Sequence, residues 1–74
     1  MKQIVIRDEF IRLGQAMKLA GLVDEGSEAK EAILDGQVLV NNEVETRRGR
    51  KLREGDVFAF EGKEIQVCTQ NPSN

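Results

Sequence analysis

The chain has no histidine, no tyrosine and no tryptophan, one cysteine and one proline. Each shortage removes a class of function. A single cysteine, Cys68, allows no internal disulfide, and without histidine it has no companions for a metal site. Catalysis lacks a nucleophile–base pair, and no glycine-rich phosphate loop of a recognised kind is present. A reactive thiol needs a basic neighbour, and Val67 and Thr69 supply none. No apolar run approaches the ~20 residues of a membrane helix. Met1 to Ile6 is too short and too soon followed by Arg7, Asp8 and Glu9 to serve as a signal peptide. The expectation is a cytoplasmic protein that is not an enzyme and uses neither cofactor, metal nor small-molecule substrate.

What is present is charge. The 74 residues include 11 basic and 13 acidic side chains, for a net charge of −2. That total argues against a nucleic-acid binder, but the distribution argues for one. Arg47, Arg48, Arg50, Lys51 and Arg53 fall within seven positions, and salt limits charge interactions to roughly 8 Å at physiological strength. Arginine forks match phosphate oxygens, and Gly49 lets the backbone come close to one. The plainer reading, a solvated charged loop, accounts for the same composition.

Apolar periodicity supplies the frame. Gln3 to Ile6 reads as a strand. Asp8 caps a helix from about Glu9 to Ala20, with Phe10, Leu13, Met17 and Ala20 on its core face and Gly21 as its stop. Arg12, Gln15 and Lys18 lie on a more polar side. Gly14 in mid-helix costs roughly 1 kcal/mol relative to alanine, which points to something packed closely against it. Ser27 caps a second helix, about Glu28 to Asp35, with Ala29, Ala32 and Ile33 inward and Gly36 at its end. Lys30 falls in its first turn, where an anion would meet both a cation and free N–H groups. Glu28, Glu31 and Asp35 read as a solvated acidic patch. Strands follow at Val38 to Val40, Val44 to Thr46, Val57 to Phe60 and Glu64 to Cys68, the first pair joined through Asn41-Asn42. The reading is α+β: two short helices packed on a small, mostly antiparallel sheet with an added N-terminal strand. Residues 1–68 form the single domain, and the polar stretch 69–74 reads as a flexible tail.

Arg12-Leu13, Gly21-Leu22, Ser27-Glu28-Ala29-Lys30, Ile33, Gly36-Gln37-Val38-Leu39-Val40-Asn41 and Gly55-Asp56-Val57 together resemble the S-four domain family, RNA-binding domains named for a small-subunit ribosomal protein. The chain looks like its short stand-alone members. It departs from the common pattern at Gly14, Glu28 and Asn42. The resemblance implies an αL-shaped surface made from two helices and a β-loop. It would comprise Arg12, Gln15, Lys18, Ser27, Lys30, Gln37, Asn41, Arg47, Arg48, Arg50 and Lys51. The implied partner is structured RNA, ribosomal or tRNA-like, bound by a monomer in a ribosome-associated process. With few aromatics for stacking bases, contacts to phosphates and 2′-hydroxyls suit it best. Neutralising about five phosphates would give a log–log salt slope of magnitude ~4. The competing reading is a protein-interaction module whose arginines meet an acidic partner.

Overall fold

Alternation of buried and exposed residues makes the first five-residue run a strand. In the computed structural model, which describes residues 1–70, β1 (Lys2–Ile6) turns Ile4 and Ile6 inward. It lies parallel to the last strand, β7 (Lys63–Thr69), with Lys2 opposite Ile65 and Ile6 opposite Thr69. Parallel neighbours require a long crossover, and here that crossover is nearly the whole chain. The five-stranded sheet runs β1-β7-β6-β3-β4, where β3 is Val38–Val40, β4 Glu43–Val44 and β6 Val57–Phe60. Every pairing in it other than β1 with β7 is antiparallel. A two-stranded ribbon, β2 (Ile11–Arg12) with β5 (Lys51–Leu52), stands apart. Thr69, expected in the tail, is paired in β7, and the Gln70 N–H donates to the Ile6 carbonyl at 2.7 Å. The rest of the expected tail, 71–74, lies outside the described residues.

Two helices make up the second layer of this α+β fold. α1 covers Leu13–Leu19 and α2 covers Gly26–Leu34. Leu13, Met17, Ala29 and Ile33 from the helices meet Val38, Leu52, Phe58, Ile65 and Val67 in a common core. Both helices end in a left-handed glycine, Gly21 at φ +78° and Gly36 at φ +76°. Leu22 and Gln37 N–H groups then reach back to the Met17 and Ala32 carbonyls, while Gly21 and Gly36 reach Lys18 and Ile33. This is the Schellman closure that a glycine at this position allows.

The helix starts differ from the sequence reading. α1 begins about four residues later than expected, because Ile11 and Arg12 are held as a strand against Leu52 and Lys51. Asp8 lies in a bend upstream and caps nothing, and Phe10 is half-buried rather than part of the core. In α2 the N-cap is Glu25, not Ser27. The Glu28 carboxylate accepts the Asp24 and Glu25 N–H groups at 2.9 and 3.1 Å. With the Glu25 side chain facing the Glu28 N–H this makes a capping box, and Ser27 sits inside the first turn with its hydroxyl 3.5 Å from Glu25 Oε1. At the hairpin, Asn41 (φ 51°) and Asn42 (φ 71°) adopt the left-handed pair that a tight two-residue turn requires. β4 starts one residue earlier than the sequence suggested.

Candidate nucleic-acid interface

The basic loop runs from the end of β4 into β5, and α1 holds it in place. A helix leaves its first N–H groups without internal partners, and α1 has no side-chain cap. Loop carbonyls fill that role: Leu13 N–H donates to the Arg50 oxygen at 2.8 Å and Gly14 N–H to the Arg48 oxygen at 3.1 Å. Arg12 Nη1 donates to the Gly49 carbonyl at 3.1 Å. Gly14 is now explained, since a Cβ there would lie 2.9 Å from Arg48 Cγ. This glycine, second residue of α1 rather than mid-helix, makes room for the stem of an arginine and lets Arg48 lie over the first turn of the helix.

Beneath the loop is a carboxylate that the sequence reading passed over. Glu45 is 7% exposed, the one buried charged residue among the described residues. Its Oε2 accepts the Arg47 backbone N–H at 3.0 Å and Arg47 Nε at 2.9 Å. Its Oε1 accepts Arg47 Nη2 at 3.1 Å and Arg50 Nη1 at 2.7 Å. A carboxylate buried without partners would cost several kcal/mol; this one has a donor on every side. The Arg47 side chain is the main influence that holds the Glu45 carboxyl down to about 2; burial pushes the other way, and the Arg50 side chain reinforces the lowering. Arg47 in turn is held more firmly protonated by Glu45. The only sequence signal was an acidic residue two positions before the run, on a strand expected to be ordinary.

Phe10 was expected in the core and instead organises cations. Lys51 Nζ lies 4.7 Å from its ring centre, and the guanidinium carbons of Arg12 and Arg53 lie 5.6 and 5.7 Å away. Each such contact contributes roughly 0.5–1 kcal/mol at an exposed site. Arg53, left off the expected surface, therefore belongs beside Lys51.

Two open clefts meet at Gly49. One, of about 370 Å³, is lined by Arg12, Gly14, Gln15, Lys18, Gly26, Arg48 and Gly49. The other, of about 550 Å³, is lined by Arg47, Gly49, Arg50, Lys51 and Arg53. Seven of the 11 basic side chains line the two, and no carboxylate lines either. The net charge of −2 therefore conceals a cationic face.

The remaining expected residues are placed elsewhere. Gln37 borders a shallow depression with Glu61 and Glu64, far from the basic loop in chemistry. Asn41 has its side chain committed to the protein: Nδ2 donates to Asp56 Oδ1 at 3.2 Å and Oδ1 accepts the Val57 N–H at 3.0 Å. Ser27 and Lys30 are exposed on α2 and line neither cleft. Among the described residues, no cluster of three or more potential metal ligands forms and no helix is long and apolar enough to cross a membrane.

Comparison with known proteins points one way. A family model described as the S4 domain (the S-four family) matches residues 4–68. A Bacillus subtilis (strain 168) protein named "Probable ribosome maturation protein RlbA" is 49% identical over 59 residues, covering 80% of this chain and 83% of the relative. YbcJ of Escherichia coli (strain K12) is 40% identical over 57 residues, covering 77% and 81%. The solution structure of E. coli YbcJ, described as revealing an αL motif involved in RNA-binding, superimposes with a TM-score of 0.71 at 35% identity over 92% of this chain and 87% of that one.

Proposed function

The chain belongs to the S4 domain family, and from that premise we propose that it is a non-catalytic RNA-binding domain gripping the phosphate backbone of folded RNA. The observation that carries the reading is the pair of carboxylate-free clefts meeting at Gly49, into which β2, α1 and the basic loop deliver seven cations. Arg48, Lys51, Arg53, Arg12 and Lys18 are the phosphate contacts. Phosphate contacts position a protein on nucleic acid without reading sequence, so shape selects the target.

The aromatic inventory supports backbone recognition over base stacking. Phe58 is fully buried, Phe60 is 8% exposed, and the half-buried Phe10 has cations around its ring. Single-strand readers rely on exposed aromatic platforms. The finer part of the proposal is that the RNA is ribosomal, for which the support is the likeness to the Bacillus relative named for ribosome maturation.

The test is titration of purified protein with ribosomal RNA, tRNA and a DNA duplex across a salt series. Each phosphate neutralised contributes about 0.9 to the log–log slope on a duplex, so five contacts give a slope of magnitude about 4. No RNA binding even at low salt overturns the reading and favours an acidic protein partner for the same loop.

A further inference from the structure

Resting on that RNA-binding reading, we infer that Glu45 is a positioning residue: with Arg47 and Arg50 it forms a clasp that fixes the basic loop, leaving Arg48, Lys51 and Arg53 to meet phosphate. The loop's five cations thus divide into two holders and three contacts.

The geometry assigns the holders. Arg47 presents its Nε and Nη2 edge to both oxygens of Glu45. That edge is one of the two forks an arginine can offer a phosphate, and it is already occupied, which leaves only the Nη1 end facing solvent. Arg50 is fastened at three points: its Nη1 to Glu45, its N–H to the Arg47 carbonyl at 3.2 Å, and its own carbonyl to Leu13 N–H. Its side chain is 33% exposed, against 71% for Arg47. Glu45 is anchored from behind, since its N–H donates to the Val38 carbonyl in β3 at 3.0 Å. One carboxylate therefore ties the sheet, the turn of the loop and the start of α1 into a single piece. Arg48, Lys51 and Arg53 make no salt bridge among the described residues.

As a charge, Glu45 weakens the field that attracts phosphate. As a scaffold, it reduces the ordering that binding would otherwise require. The two effects have opposite signs, which makes the inference decidable.

The experiment compares the full chain with Glu45→Gln, Arg47→Lys and the double variant, titrated with purified ribosomal RNA at two salt concentrations. Glu45→Gln is expected to bind about three- to tenfold more weakly, in keeping with coupling energies inside one hydrogen-bond network. Arg47→Lys keeps the positive charge and loses the fork, so it should weaken binding to a similar degree. The double variant should match either single one. Tighter or unchanged binding by a folded Glu45→Gln protein, with a steeper salt slope, overturns the inference. Should Glu45→Gln fail to fold, Arg47→Ala decides through the salt slope: losing a phosphate contact lowers it by about 0.9, whereas losing a holder weakens binding with the slope kept. An RNA-free readout separates this inference from the function it rests on. The Arg47 Nε proton, followed by NMR, should exchange slowly in the wild type and quickly in Glu45→Gln. Equal exchange overturns the clasp even if RNA binds. Protected exchange in a wild type that binds no RNA overturns the proposed function, and the aiming role with it, while the clasp stands as a fastening.

Discussion

α2 starts where its own side chains permit. Glu28 takes the two N–H groups just ahead of the helix, all within five residues. α1 has no such residue, and its first two amides are satisfied by Arg50 and Arg48 some 35 positions away in the chain. The difference teaches that the basic loop is part of α1's structure as well as a functional appendage. A change that displaces the loop uncaps the helix, and a change in the helix start releases the loop. α2 is capped without any help from the loop, and it reaches the cationic clefts only through its first residue, Gly26.

Gly14→Val attacks this linkage most directly and should show the largest effect. The new Cβ meets Arg48 Cγ at 2.9 Å, and overpacking of this kind costs about 1–3 kcal/mol. Urea denaturation should show that loss, and RNA affinity should fall with it. If stability falls while RNA binding is unchanged, α1 and the loop are not coupled.

Acid should loosen the loop next. The Glu45 carboxyl titrates near 2 in the folded chain against 4.5 ordinarily. A group whose pKa is lower when folded stabilises fully above its unfolded value, and the stabilisation fades as pH falls toward the folded one. One pKa unit corresponds to 1.36 kcal/mol, so the contribution is at most about 3 kcal/mol, and smaller because Arg47 faces solvent. Denaturation midpoints at pH 5 and pH 2.5 should differ more in the wild type than in Glu45→Gln. A pH-independent difference between the two proteins would refute this origin.

Glu28→Ala removes the acceptor that starts α2 and should cost about 1 kcal/mol. RNA affinity measured in parallel should be unaffected; a matching fall would mean that α2 also shapes the interface. The smallest stability effect belongs to Arg53→Ala. As an exposed substitution that loses only the Phe10 contact, it should cost about 0.5 kcal/mol, the low end for such a contact. Its signature is a salt slope reduced by about 0.9, and an unaltered slope would remove Arg53 from the contacts.

The readable part of the fold was local. Glycines at 21 and 36, the Asn41-Asn42 turn and the inward Ala29, Ala32 and Ile33 needed only their neighbours, and they hold in the structure. Gly14 advertised a close approach without naming Arg48. Phe10 fits the periodicity of a helix whose first turn is replaced by β2 pairing, so it leaves the core. Ser27 has the side chain of a good cap, but the glutamate two residues earlier has its own partner in Glu28 and takes the position. The run of arginines was plain, but its division into holders and contacts depends on a carboxylate that looked like any strand residue.

By itself the sequence did not show the β2–β5 ribbon, but it determined the five strands of the main sheet to within a residue or two, where both helices stop, and that the cations cluster. All of these follow from steric and capping rules that act over a few residues. Tertiary structure decided where α1 starts, what fills the space over Gly14, and that Glu45 lies beneath Arg47 and Arg50. Those outcomes rest on hydrogen bonds between segments far apart in the chain, and such partners exist only once the sheet and the loop have closed around them.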